Sequence, residues 1–227
     1  MRVTRGAMLL AGLEVGVSLV WLFCDDATRA QWASWLTATP TTVYREGHVW
    51  TLVTSVFLEP QFLNLIMHLL VLFMFVPTLE RFWGTARFYR FAAITSLAGT
   101  VFGTLAALAL GQEFAVSGLS PFMDASIVAF GIIYAKQPVQ FFGVLPLTGK
   151  QLMWGYVAFL TAFVLLQQLW ALGAAYAAAM LAAALLVSKN RPGLLWRKWK
   201  VARAKRKLAV LQGGVSTPRK KPDTYLN

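Results

Sequence analysis

The sequence predicts an all-α polytopic membrane protein: a bundle of six transmembrane helices, then a basic cytoplasmic C-terminal helix and tail. Three observations predict it. Hydrophobic residues make up 58% of the 227, and the mean hydropathy is +0.59. The charged share is 13%, where a soluble domain carries about a quarter. Apolar runs close to the length of a bilayer crossing recur along the chain, joined by short polar connections. The single cysteine, Cys24, excludes an internal disulfide and a cysteine metal cluster. With only His48 and His68 besides, no metal site and no cofactor are expected.

Taken in order, Arg2 and Arg5 precede an apolar run from Met8 to Cys24. No A-x-A cleavage site follows it, so it reads as the first span rather than a signal peptide. Glu14 lies inside that run. It either reaches headgroup water from a position near the interface or serves as the buried partner of a polar group elsewhere in the bundle. Residues 25 to 60 form a polar and aromatic loop containing Trp32, Trp35, Tyr44 and Trp50, residue types that favour the membrane–water boundary. Thr28 to Leu36 within it suits a short interfacial helix.

Span two is Gln61 to Leu79, with Pro77 bending or ending its last turn. Asn64 and His68, four residues apart, share one helix face. Such groups are costly in lipid and are expected to face protein or trapped water. Span three is Phe88 to Leu110. Span four runs from about Pro121 to Ala135, with Pro121 in the first turn and Ser120 as a natural N-cap. It is short for a lipid-facing crossing, which implies a helix that starts below the surface, enclosed by neighbours. Residues 137 to 150 connect it to span five, Gln151 to Leu166. Gln167-Gln168 marks a tight turn into span six, Ala171 to Val187. There Ala175, Ala179 and Ala183 line one face, a spacing that lets helices approach closely.

The membrane domain is therefore 1–188 and the basic tail 189–227, with a helix at about 193–212 and a disordered end. With both termini cytoplasmic, 19 of the 21 basic residues lie inside, as the positive-inside rule requires. The excess in the tail helix (Arg197, Lys198, Lys200, Arg203, Lys205, Arg206 and Lys207) is expected to meet anionic lipid, or next a protein partner, at roughly 1 kcal/mol per residue near the surface. Nucleic acid is not expected. Alanine-rich composition and the absence of sorting motifs point to a bacterial inner membrane.

The order of these features resembles the rhomboid superfamily of intramembrane proteases and their inactive relatives. Four stretches carry the resemblance: the long loop closed by Trp50-Thr51; LERFWGTARF at the end of span two; Gly118-Leu119-Ser120 before the short span four; and the small-residue span six. The resemblance implies a six-transmembrane-helix rhomboid-like bundle. It also implies a serine nucleophile on span four, a histidine base on span six, and an Asn and a His on span two that help stabilise the oxyanion. Ser120 and Ser126 are both candidates for the serine, with an N-cap and a packing residue as their plain structural alternatives. Asn64 and His68 stand in swapped order. Span six has no histidine, and Tyr176 occupies the corresponding place. A neutral tyrosine is a poor proton acceptor, so these are degenerate catalytic candidates. Glu14, Asn64, His68 and Asp124 are expected to form a structural polar cluster. The implied function is a protease-dead membrane protein that binds transmembrane helices or acts as a scaffold or accessory subunit of a membrane complex. The alternative is an active intramembrane serine protease with an unorthodox base, His68, facing one of the serines.

Overall fold

A computed structural model describes residues 4–141 and 145–188, within the unit Met1–Ser188. The expected tail helix, the disordered end and the seven basic residues named for lipid or partner binding lie outside the described residues.

Helix α1 (Arg5–Phe23) is the first apolar run, begun slightly earlier than its hydropathy suggests. Helix α2 (Asp26–Leu36) starts at Asp25, whose carboxylate accepts the Thr28 N–H at 3.3 Å and its hydroxyl at 2.6 Å. These bonds to the charged form hold the Asp25 carboxyl below its ordinary value. A π-helical turn over Thr41–Arg45 and a four-residue helix α3 (Thr51–Thr54) complete the loop. Trp35, His48 and Trp50 stack there, with centroids 4.6 to 5.4 Å apart.

Helix α4 (Phe62–Trp83) continues through Pro77, and Gly84, at φ +78°, stops it. Pro77 does not end the helix: it sits buried within α4, which runs on to Trp83. Helix α5 (Thr85–Ala109) follows directly. Helix α6 (Ser120–Ile133) is 14 residues long and buried from Pro121 to Gly131. The connector expected after it is an antiparallel hairpin, β1 (Pro138–Phe141) with β2 (Leu145–Thr148). A capping box between Thr148 and Gln151 opens α7 (Gly149–Gln167). Gln168, at φ 56°, makes the turn into α8 (Trp170–Val187).

Five helices (α1, α4, α5, α7 and α8) are long and apolar enough to cross a membrane, and α6 is shorter than a crossing. The fold is an all-α polytopic membrane protein. Its closest packing joins α5 to α8. Ala171, Ala175, Ala179 and Ala183 are buried along one face of α8. A Cβ on Gly103 would lie 2.8 Å from that of Ala175, and one on Gly99 would lie 2.3 Å from the Pro121 ring. The alanine stripe is what lets the two backbones meet, and that contact brings Pro121, hence the start of α6, into the centre of the bundle.

Candidate functional site

The loop before α6 is pulled inward by three backbone contacts. Val116 N–H donates to the Ala38 carbonyl, Gly118 N–H to the Ser55 carbonyl at 2.9 Å, and Leu119 N–H to Glu14 Oε1 at 3.3 Å. Gly118 has φ +72°, and a Cβ there would sit 2.5 Å from Glu59 Oε2 and 3.0 Å from His68 Cε1. Only glycine allows this conformation and approach at low cost. The helix then begins at Ser120 itself, with Leu119 in the cap position.

Ser120 does not serve as the N-cap that its place before Pro121 suggests. Instead its Oγ lies 3.0 Å from His68 Nε2. The other ring nitrogen, Nδ1, lies 2.7 Å from Glu14 Oε1. Glu14, from the middle of α1, is wholly buried, and the His68 side chain is 12% exposed. Glu14 Oε1 also accepts the Leu119 N–H, and with Nδ1–H donating to the same oxygen Nε2 is left to accept the serine proton. Glu59 Oε2 stands 3.8 Å from the same Nδ1. The loop that carries Glu59 is tied to α1, because its N–H donates to Ser18 Oγ at 2.9 Å.

The other candidates fall around this line. Tyr176, from α8, which packs on α6, faces the Ser120 side chain without a direct hydrogen bond to it. Asp124, one turn along α6 from Ser120, accepts from the Tyr156 hydroxyl through Oδ1, while its Oδ2 has no hydrogen-bond partner among the described residues. Asn64 does not join the serine. Its Nδ2 donates to Gln61 Oε1 at 3.1 Å and to Glu59 Oε1 at 3.4 Å, so Asn64 and His68 do not converge on one oxyanion. Ser126 is fully buried with its hydroxyl unpaired among the described residues. Sequence reasoning did not find Glu59 or Tyr156. A glutamate just before an apolar run was the only signal for the first, and nothing in the local pattern marked the second.

Beside the polar line lies a cleft of about 700 Å³ between α7 and α8, floored by α6. Its walls include Val128, Met153, Trp154, Val164 and Ala177, and Tyr176 lines it as well. Among the described residues no group of three His, Cys, Asp or Glu side chains could hold a metal ion.

A family model described as eukaryotic integral membrane protein (DUF1751) matches residues 7–188. No curated protein matches the chain. The resemblance to rhomboids is corrected by this match, since no rhomboid family is found. Each stretch that carried it has a local packing job. Trp50 stacks in the loop, Glu80 caps α1, Gly118 permits a close approach, and the alanines seat α8 on α5. The expectation of a bacterial inner membrane is overturned too, because the family is eukaryotic. The alanine content that suggested it is a requirement of the α5–α8 contact, not a mark of origin.

Proposed function

We propose a nucleophilic function for this chain, which belongs to the eukaryotic integral membrane protein family DUF1751. It hydrolyses carbonyl esters within the bilayer, with Ser120 as nucleophile, His68 as general base and acid, and Glu14 orienting the imidazole. The observation that carries this reading is the ordered line Ser120 Oγ–His68 Nε2 at 3.0 Å and His68 Nδ1–Glu14 Oε1 at 2.7 Å. A serine hydroxyl is a weak nucleophile until an adjacent base takes its proton, and the base works best when a third group fixes its tautomer.

Ser120 Oγ attacks the ester carbonyl carbon and its proton passes to His68 Nε2. The tetrahedral oxyanion meets the Tyr176 hydroxyl and the positive N-terminal end of α6. Collapse breaks the carbon–alkoxy bond, and the alkoxide leaves with the proton from His68. Water then adds to the acyl-serine by the reverse roles, releasing the acid and restoring Ser120. We read α6 as a sixth crossing element enclosed by its neighbours, supported by its burial from Pro121 to Gly131. The bilayer is the first partner, with anionic lipid as the expected contact of the basic tail.

The test is turnover of a short p-nitrophenyl ester by purified full-length protein. Ser120→Ala and His68→Ala should each lower kcat by about 10³-fold or more. Equal rates in wild type and both variants would remove the proposal.

A second reading gives the bundle no chemistry: it holds a transmembrane segment of another protein, or serves as a scaffold subunit. The open apolar face between α7 and α8 favours it. Stable co-purification with a membrane partner, together with an inert Ser120, is the result that would select it.

A further inference from the structure

The cleft between α7 and α8 leads to the serine. The two helices close on each other near their turn, where a Cβ on Gly173 would lie 2.6 Å from Val164 Cγ1. Beyond that point they stand apart, and α7 packs far less closely on α8 than α5 does. The space between them is walled almost wholly by apolar side chains. Tyr176 lines it, on the α8 face that packs against α6 and that faces Ser120. One residue thus borders both the cleft and the reactive line.

We infer that the cleft seats the acyl chain of the substrate, so that the substrate is a long-chain acyl ester lipid; this rests on the proposed role of Ser120. Size selects the occupant. The cleft holds about 700 Å³. Pockets for single small ligands run from about 300 to 1,000 Å³. A spanning helix about 30 Å long and 10 Å across fills roughly 2,400 Å³. A lipid tail fits inside; a protein helix would lie across the rim. Acyl chains also fill any apolar opening in a bilayer by default. What makes this one a substrate site is its inner end, where an ester at the head of the chain comes beside Tyr176 and Ser120. The chemistry is that already written, with a fatty acid and the lipid alcohol as products.

Two measurements on the full chain in phosphatidylcholine vesicles test this. The first is turnover of p-nitrophenyl esters from two to sixteen carbons by wild type and Ala177→Phe, which fills the cleft. The wild type should prefer long chains by at least about tenfold in kcat/KM, the effect of burying two further methylene groups. Ala177→Phe should move the optimum to shorter chains. The second is photo-crosslinking by a phosphatidylcholine with a diazirine near its chain terminus, mapped by mass spectrometry. Adducts should fall on Met153, Trp154 or Ala177, with or without Ser120→Ala. Ser120-dependent turnover with no chain-length preference, or one untouched by Ala177→Phe, overturns the inference and leaves the serine's role standing. Adducts scattered evenly over the lipid-facing helices overturn it as well. No turnover of any ester removes the role of Ser120 and this inference with it.

Discussion

Glu80 of α4 closes the N-terminus of α1 by accepting the N–H groups of Gly6 at 3.0 Å and Ala7 at 3.1 Å. The Thr85 hydroxyl donates to the same carboxylate at 3.0 Å. The contact is tight enough that a Cβ on Gly6 would lie 2.6 Å from Glu80 Oε2. A side chain from one helix therefore caps another across more than 70 residues of sequence.

Removing that cap is expected to cost about 1–3 kcal/mol, since two buried N–H groups lose their acceptor. Glu80→Ala should lower the thermal unfolding midpoint in detergent, and Gly6→Val should lower it by displacing the same carboxylate. An unchanged midpoint in both would show that the cap contributes nothing to stability.

Gly118→Ala is expected to disturb the site more than the fold. The added Cβ meets Glu59 and His68 in a left-handed backbone, where a non-glycine residue costs about 1–2 kcal/mol. Reactivity of Ser120 towards a fluorophosphonate should fall sharply while the protein still folds. A variant that labels as fast as wild type would mean that the close approach at Gly118 does not position the serine.

Glu59 lies in the loop ahead of α4, outside the spans, and burial raises its carboxyl above the ordinary value. A carboxyl raised by folding favours the fold while it is protonated. That contribution is complete below its unfolded value and is lost as pH rises through the folded one. The wild-type midpoint should therefore fall across the pH window just above the ordinary carboxylate range. Glu59→Gln should flatten this slope. Parallel slopes would acquit Glu59.

Glu14→Gln keeps the size of the side chain but replaces one carboxylate oxygen with an amide donor, and leaves the tautomer of His68 unfixed. Where a triad carboxylate is changed to its amide, kcat drops by about 10⁴-fold. A loss of roughly 10³-fold or more in short-ester turnover is expected, with KM little changed. A loss below about tenfold would reduce Glu14 to a packing residue.

The helices were legible in the sequence because each requirement is local. The apolar runs gave α1, α4, α5, α7 and α8 to within a few residues, and the alanine spacing gave the packed face of α8. The hairpin was not legible, since Pro138 and Pro146 argue for a loop. The site was legible as a list and not as an arrangement. Glu14, His68 and Ser120 were each marked as polar groups in apolar runs. Their order depends on the rotation of α1 against α4 and on the depth at which α6 starts. The depth follows from the close approach at Gly118 and from the α5–α8 contact, far away in sequence. The rhomboid resemblance implies a base on the last helix, whereas the imidazole beside Ser120 comes from α4, as in the alternative with His68 facing a serine.

The most direct test of the central claim is the site of fluorophosphonate attachment on the intact, detergent-solubilised protein, read by peptide mass spectrometry. The account predicts one phosphonyl adduct on Ser120, absent from the His68→Ala protein, with Ser126 unmodified. A folded wild type that stays unmodified, or one labelled equally without His68, would contradict it.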